Sequence, residues 1–363
     1  MTAYVVEKSA IRNNLKIIQK RAEEATVWAV LKGNAYGLGL LPMAELCREC
    51  GVTHFAVTEL DDAEALRKGG FEKEEILLLQ PTADADLIRK LLALNVIATV
   101  SSQDDATMLN GIAVSLNTVA EAHVKIDVGM GRYGFFPEEL EKILPIYAYM
   151  DGIAVSGIYA HLSCAFCSKK ITRKQLDRFH GVINAIQDAG YESGVPHVLN
   201  SEGLLRFPEY RLGGVRVGSA ILGRLNVQGN RDFERVGVCE TNIIELRWLP
   251  KGSTCGYGAG WKAKKPTRIA VVPVGWYHGF GCEMGNDLVR LRDRVRAVCS
   301  ALLRLIVPRR YTVTVGGKPC RVLGHIGMLH TVVDVTDVTC SLGDKVQMQI
   351  NPIMIKGMNV IFK

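Results

Sequence analysis

The sequence has 363 residues, of which 48% are hydrophobic and 22% charged, with a net charge of +7. This length supports two domains with separate cores, and the absence of a basic stripe interleaved with aromatic residues argues against a nucleic-acid-binding protein. Residues 1–8 lack the pattern of a signal peptide, and charges interrupt every long apolar stretch. We therefore expect a cytoplasmic protein that does not enter the membrane.

Short apolar segments in the first 217 residues predict eight β-strands. Helix-like stretches, such as residues 60–68, 84–93 and 170–189, separate several of them. Eight alternations of strand and helix predict a (β/α)8 TIM barrel, which we assign to residues 1–222. The predicted strands are residues 27–31, 55–58, 76–79, 96–100, 124–126, 153–159, 197–199 and 214–217.

The sequence pattern changes after Leu222, where the apolar segments become shorter and are separated by glycines. This pattern predicts a separate, mostly β domain over residues 223–363. The clearest strand candidates are residues 242–246, 268–274, 311–315 and 332–335.

A helical insertion interrupts the β domain at about residues 287–306. Apolar residues in alternating steps of three and four form one stripe, and four arginines occupy other faces. The stripe could pack on a partner or an anionic surface, but we favour a helix docked on its own domain with solvated arginines. The stripe comprises Leu288, Leu291, Val295, Val298, Leu302 and Leu305, and the arginines are Arg290, Arg292, Arg294 and Arg296.

Lys32 directly follows the first predicted barrel strand, in the segment Leu31-Lys32-Gly33-Asn34-Ala35-Tyr36-Gly37. A partly buried lysine is neutral part of the time, as a Schiff base with an aldehyde requires, so this lysine is a candidate anchor for pyridoxal phosphate. The alternative is a strand-end lysine that extends to solvent.

Six polar residues, including Lys32, fall at or just after the ends of the predicted strands. Active sites of such barrels lie at the carboxyl ends of the strands, so these side chains are expected to share one site. They are Lys32, Lys125, His161, Asn200, Ser201 and Arg216.

Two cysteine pairs, Cys47/Cys50 and Cys164/Cys167, have the CxxC spacing of zinc ligands or redox pairs. The first pair lies on a predicted helix and the second in a predicted loop, so the four need not converge. We favour reduced structural thiols and expect no metal site.

Six motifs occur in one order along most of the chain, and together they resemble those of alanine racemases. These are fold-type III pyridoxal-phosphate enzymes built from a barrel and a β domain. The motifs are Lys32 to Gly39, His123 to Arg132, Gly157 to His161, Asn200-Ser201, Val215 to Gly218 and Gly256 to Trp261.

The resemblance implies a racemase that interconverts L- and D-alanine, or another small amino acid such as serine, and so supplies D-alanine for the cell wall. Two bases on opposite faces of the substrate would exchange the α-proton. Lys32 matches one base, and Tyr257 matches the other, contributed by the second subunit of a homodimer.

The resemblance also assigns supporting roles. His161 and Arg216 would help the tyrosine ionise, and Arg216 would donate to the pyridine nitrogen without protonating it. Lys125, often carbamylated in this family, would orient Arg132 towards the substrate carboxylate, and Met328 would touch that carboxylate from a second loop. The residues expected to bind the cofactor are Lys32, Tyr36, His161, Asn200, Ser201, Arg216, Gly218 and Ser219.

Three segments depart from the family pattern and indicate a divergent branch. In the loop around Met328, Gly327, Leu329 and His330 replace the usual cysteine, aspartate and glutamine. The segment 275–279 is altered, and the tail 351–363 lacks the usual arginine-proline motif and phosphate-binding tyrosine. The preferred amino acid therefore stays open.

Two other functions compete with racemisation. A decarboxylase of the same fold type is weaker, because Arg216 stands where decarboxylases use an acid. A non-catalytic cofactor carrier would resemble the barrel alone, whereas here the second domain also matches.

Overall fold

The computed structural model describes residues 2–227, 229–283, 291–306 and 311–363, which divide into two compact units. Lys8–Val236 form one unit, and Gly237–Lys363 form the other together with the first residues through Glu7. The predicted boundary lies after residue 222, and the prediction assigns the N-terminus to the barrel. The difference at the N-terminus arises from one strand.

That strand, β1 (Ala3–Val6), pairs with strands of the C-terminal unit, antiparallel to Val238–Asn242 and parallel to Asn359–Phe362. All four of its residues are buried. A strand covered on both faces reads as a continuous apolar run, which does not reveal its partners.

Eight parallel strands form a TIM barrel in the first unit. Each predicted barrel strand overlaps one of them, and a bridge between Leu77 and Ile97 joins the two ends of the sheet. In chain order they are β2 (Thr26–Val30), β3 (His54–Val57), β4 (Glu75–Leu78), β5 (Ala98–Val100), β6 (Ala120–Ile126), β7 (Ile153–Ala160), β8 (Val195–Leu199) and β9 (Gly214–Val217). The strand order is β4-β3-β2-β9-β8-β7-β6-β5. The predicted barrel is therefore confirmed.

Helices accompany these strands along the chain. The helix predicted at residues 60–68 has those bounds, and the one predicted from residue 84 begins one residue later because Asp84 caps it, accepting from the backbone N–H of Asp86 and Leu87. The helices are α1 (Lys8–Ala22), α2 (Lys32–Tyr36), α3 (Leu40–Glu49), α4 (Leu60–Lys68), α5 (Ala85–Ala93), α6 (Gln103–Ser115), α7 (Leu140–Tyr149), α8 (Lys169–Asp188) and α9 (Ser201–Arg206).

The second unit is mostly β, as predicted. Its strands are β10 (Val238–Asn242), β11 (Glu245–Leu249), β12 (Thr254–Cys255), β13 (Trp261–Lys262), β14 (Thr267–Val272), β15 (Thr312–Val315), β16 (Lys318–Arg321), β17 (Thr331–Asp334), β18 (Lys345–Met348) and β19 (Asn359–Phe362). They form sheets in the orders β16-β15-β18-β10-β1-β19, β11-β14-β17 and β12-β13.

The strand predicted at residues 242–246 is wrong. β10 ends at Asn242 and β11 begins at Glu245, and between them the chain passes from one sheet to another. The N–H of Ile243 donates to the carbonyl of Asp344, whereas the N–H of Ile244 donates to the carbonyl of Val271. A continuous apolar segment hides such a change of sheet.

The predicted insertion contains the helix α10 (Leu291–Ile306). Its apolar side chains are solvent-exposed, so the expectation that the stripe docks on its own domain is wrong for the residues described. Leu288 and Arg290 lie outside the described residues. None of the helices in the described ranges has the length and apolar character needed to cross a membrane.

Candidate active site

A cavity of about 590 Å³ opens at the carboxyl ends of the barrel strands. Ten residues predicted for the site line it: Lys32, Tyr36, Lys125, Arg132, His161, Asn200, Ser201, Arg216, Gly218 and Ser219. Tyr257 and Met328 belong to the second unit and are not among its lining residues. The barrel thus assembles all the predicted site residues that lie within it.

A left-handed turn follows Lys32. The φ angles of Gly33, Asn34, Ala35 and Tyr36 lie between 51° and 60°. Non-glycine residues in this conformation are each disfavoured by about 1–2 kcal/mol, so the surrounding structure must hold the turn. The Asn34 side chain helps by accepting from the backbone N–H of Leu40 at 2.8 Å. The turn brings the Tyr36 ring centroid to 5.9 Å from the Lys32 Nζ.

Lys32 lies in an environment that disfavours its charged form. Burial of the amine, followed by repulsion from Arg132, lowers the pKa of Lys32 below its ordinary value. The residue as a whole remains solvent-accessible, at the rim of the cavity. A larger neutral fraction makes the amine a better nucleophile and a better proton acceptor near neutral pH.

Arg216 is the buried cation of the cavity. One of its N–H groups donates to the carbonyl of His197 at 2.6 Å and lies 2.8 Å from the Nδ1 of the same residue, and another donates to the carbonyl of Ala160. Burial lowers the pKa of Arg216 to about 10, so the guanidinium remains charged at neutral pH. It can therefore donate hydrogen bonds into the site but gives up no proton.

A histidine pair supports this arginine from inside the barrel. Because Arg216 can only donate, His197 must accept through Nδ1 and carry its proton on Nε2, which lies 2.9 Å from the Nδ1 of His123. Burial, then repulsion from Arg216, lowers the pKa of both imidazoles. The ring of His197 also stacks on Tyr159, with centroids 5.1 Å apart. None of the predicted roles falls on His197, His123 or Tyr159.

Lys125 is buried beside two arginines. Its Nζ lies 4.1 Å from the centroid of the Tyr159 ring. Burial, then repulsion from Arg216 and Arg132, holds the pKa of Lys125 well below its ordinary value, and attraction to Asp127 offsets only part of this. The environment therefore favours a neutral amine.

The loop that carries Arg132 is fixed by one carboxylate. Asp127 accepts from the backbone N–H groups of Gly129, Met130, Gly131 and Arg132 at 2.7–3.2 Å. Partial burial opposes ionisation, but these four donors hold the pKa of Asp127 below its ordinary value. The backbone of Arg132 is thereby fixed, while its side chain remains exposed for a ligand.

One end of the cavity has the small, donor-rich surface that suits a phosphate. The Ser201 hydroxyl accepts from the backbone N–H of Gly218 and of Ala220, each at 3.2 Å. A Cβ atom on Gly218 would lie 2.0 Å from the Tyr36 hydroxyl oxygen, so only glycine permits this approach. The Ser219 hydroxyl donates to the Glu202 carboxylate at 3.4 Å. Glu202 is not among the predicted site residues.

His161 also lines this cavity. Burial, then repulsion from Arg216, holds the pKa of His161 well below its ordinary value. Its imidazole is therefore neutral at physiological pH and can act as an uncharged hydrogen-bonding or stacking surface.

The remaining predicted residues lie on exposed turns of the second unit. Tyr257 begins a short 3-10 helix and is 77% exposed, and Met328 is half exposed. Two segments that depart from the family pattern contact each other here: Trp276 N–H donates to the Gly327 carbonyl and Tyr277 N–H to the Met328 carbonyl. The altered segments therefore form one local structure.

The CxxC segments are separate features. Cys47 is buried on α3, where burial raises the pKa of its thiol to about 12, and Cys164 and Cys167 lie in the loop between β7 and α8. In the parts of the chain that the structure describes, no group of three metal-ligating side chains is close enough to hold an ion.

Known proteins resemble the chain over most of its length. Family models described as alanine racemase, N-terminal domain and C-terminal domain match residues 6–226 and 236–352. The chain is 34% identical over 275 residues to an alanine racemase of Clostridium tetani. This alignment covers 74% of this chain and 70% of that protein.

Solved structures agree with the fold. An alanine racemase of Clostridium difficile 630 has a TM-score of 0.83 at 25% identity, covering 100% of this chain and 95% of that one. An alanine racemase of Bartonella henselae, described with covalently bound pyridoxal phosphate, has a TM-score of 0.82 at 20% identity, covering 100% and 99%.

Proposed function

The chain belongs to the alanine racemase family, and we propose that it is a pyridoxal-phosphate-dependent racemase of alanine, or of another small amino acid such as serine. One observation carries this proposal. The barrel places Lys32, with its lowered pKa, in the same cavity as the charged Arg216 and the glycine-lined surface beside Ser201. An amine, a fixed cation and a phosphate surface are the groups that this cofactor requires.

The residues present fit pyridoxal phosphate. Tyr36, Ser201, Gly218 and Ser219 line the cavity and would hold its phosphate, and the missing side chain of Gly218 leaves room for the Tyr36 hydroxyl. Arg216 would face the ring nitrogen, Lys32 would bind the aldehyde carbon, and Asn200 and His161 would border the ring. When bound, the cofactor supplies the electron sink that acidifies the α-proton of the amino acid.

The chain's own residues would move the proton. Neutral Lys32 can accept it at Nζ and return it as an ammonium group. Arg216 keeps its own proton and therefore limits how strongly the ring withdraws electrons, which disfavours side reactions. Tyr257 would serve the opposite face, contributed by the partner of a homodimer, and its exposure in this chain is consistent with that role.

Arg132 would bind the substrate carboxylate. Asp127 positions its backbone, and the positive charge of Arg132 is one of the causes that lower the pKa of the buried Lys125. We further propose that the neutral Nζ of Lys125 adds to carbon dioxide, forming an N–C bond and releasing one proton. The resulting carbamate would replace two repulsive interactions with attractive ones towards Arg132 and Arg216. Met328 would approach the same carboxylate.

The cellular setting follows as part of the proposal. By its family, the chain would form a cytoplasmic homodimer that supplies D-alanine for the cell wall.

Incubation of the purified enzyme with L-alanine and L-serine in deuterated water tests this function. A racemase incorporates deuterium at the α-carbon and yields both enantiomers. Release of carbon dioxide would instead identify a decarboxylase. A protein that neither incorporates deuterium nor releases carbon dioxide would be a cofactor carrier. Lys32→Ala provides the matched control, because it removes the base and the cofactor attachment together and should abolish both exchange and inversion.

A further inference from the structure

The helix α10 presents its apolar side to solvent. Seven large apolar residues on it are exposed, from 53% at Val295 to 82% at Leu305. Five of them, in alternating steps of four and three, form one stripe, Ile306 lies beside it, and Leu303 lies about 80° further round the helix. The apolar face of α10 comprises Leu291, Val295, Val298, Leu302 and Leu305, flanked by Leu303 and Ile306. A contiguous exposed surface of this kind marks an interaction site.

The burial pattern around α10 is the reverse of that in an ordinary surface helix. Asp293 and Ala297 are less exposed than the other residues of α10 whose side chains are described. These two residues are one turn apart and lie on the side opposite to the apolar face, because a helix advances about 100° per residue. A surface helix normally buries its apolar side against its own domain. In α10, that side remains exposed in the part of the chain that the structure describes.

Exposed arginines accompany the apolar face. Arg294 adjoins one edge of the stripe, and Arg296 lies next to Leu303 at the other edge. Arg304 adds a third positive charge on the polar side, where Asp293 is the one acid of the helix. The complementary surface must therefore be apolar beneath its outer layer and negatively charged at its border.

We propose that the apolar face of α10 docks on an anionic phospholipid bilayer, with its leucines, valines and isoleucine entering the headgroup and acyl boundary. The guanidinium groups of Arg294 and Arg296 would then meet lipid phosphates at the two edges. Attachment is peripheral and reversible, and it leaves the reaction in the barrel unchanged.

A second copy of the chain fits this face less well. Two paired helices would bring both sets of arginines to one interface, with few acids to balance them. Leu303 and Ile306 also widen the apolar face beyond the seam that a two-stranded coiled coil covers. A bilayer covers a wide face and supplies negative charge along both edges.

Vesicle sedimentation of the holoenzyme tests the proposal. Vesicles of phosphatidylcholine alone are compared with vesicles of equal parts phosphatidylcholine and phosphatidylglycerol, at low salt and at about 0.5 M salt. We expect binding to the anionic vesicles at low salt and its loss at high salt. The double variant L302S/L305S should abolish binding. R294Q and R296Q should each weaken it roughly fivefold, the equivalent of about 1 kcal/mol per charge.

Matched controls use exposed residues outside α10. Leu342→Ser removes an exposed leucine, and Arg247→Gln removes an exposed arginine of β11; both should bind as wild type. Circular dichroism and racemase activity without vesicles verify folding of all variants. The proposal is overturned if anionic vesicles bind nothing, or if L302S/L305S binds them normally. Assembly of the free protein that L302S/L305S abolishes, without vesicle binding, would show instead that the face joins two copies.

Discussion

Replacing Gly218 with alanine tests the cofactor site at its narrowest point. The added methyl carbon would lie 2.0 Å from the Tyr36 hydroxyl oxygen and 2.7–2.8 Å from two ring carbons. Ordinary van der Waals contact begins at 3.4 Å, so the ring must move by about 1.4 Å at its hydroxyl end. Tyr36 is itself held in a left-handed turn, which limits how it can yield.

The expected magnitude follows from this overlap. Inserting a methyl group into a packed site typically destabilises it by about 1–3 kcal/mol. If that strain acts on the bound state, the affinity for pyridoxal phosphate falls roughly 5- to 150-fold. The substitution should weaken cofactor binding more than it destabilises the apoprotein. In the apoprotein the Tyr36 ring can turn towards the cavity, whereas bound cofactor would occupy that space.

Titration of the apoprotein with pyridoxal phosphate, followed by visible absorbance, measures this affinity. Gly181→Ala in α8 is the control, since no atom lies within 4 Å of its added Cβ, and it should bind the cofactor normally. In a Tyr36→Ala background the Gly218→Ala effect should largely disappear, because the obstructing ring is gone. An equal loss of affinity in both backgrounds would refute the reasoning.

Three further predictions concern residues that support the site. His197→Phe removes an acceptor of Arg216, worth about 1.5–3 kcal/mol, and should lower kcat at least tenfold; unchanged kcat would exclude a positioning role. The pKa of Lys125 in the folded state lies well below its ordinary value of 10.5, so between these two pKa values the folded state binds fewer protons than the unfolded state. The destabilisation caused by burying Lys125 therefore decreases as pH rises through this window. Lys125→Met should therefore raise the Tm of the carbon-dioxide-free apoprotein more at mildly acidic pH than near pH 10.5, and equal gains would contradict this. Asp127→Ala releases four backbone donors and should raise the KM for alanine more than it lowers kcat, because it loosens the Arg132 loop; the reverse pattern would argue against that role.

The barrel was predictable because its signals are local. Each strand is a short apolar run and each helix has its own periodicity, as the matching bounds of α4 show. The pairing of β1 with β10 and β19 connects distant parts of the chain, and no local pattern encodes it. The outward orientation of α10 was missed for a similar reason, since periodicity locates an apolar stripe but not what covers it.

The site was predictable in composition but not in its internal contacts. Strand ends converge in a parallel barrel, so Lys32, Lys125 and Arg216 could be grouped from their positions alone. Which inward-facing side chains touch depends on strand register, and the register between β8 and β9 shifts beside His197. The contact of Arg216 with His197 therefore emerged only from the structure.

The central claim is that one active site uses Lys32 from one chain and Tyr257 from its partner, and mixed dimers test it most directly. Homodimers of Lys32→Ala and of Tyr257→Phe should both be inactive, because each of their sites lacks one base. Subunit exchange between them places both defects in one site of the mixed dimer and leaves the other site whole, so racemase activity should recover to about a quarter of wild type at random assortment. Verified mixed dimers without any recovered activity would contradict the shared site.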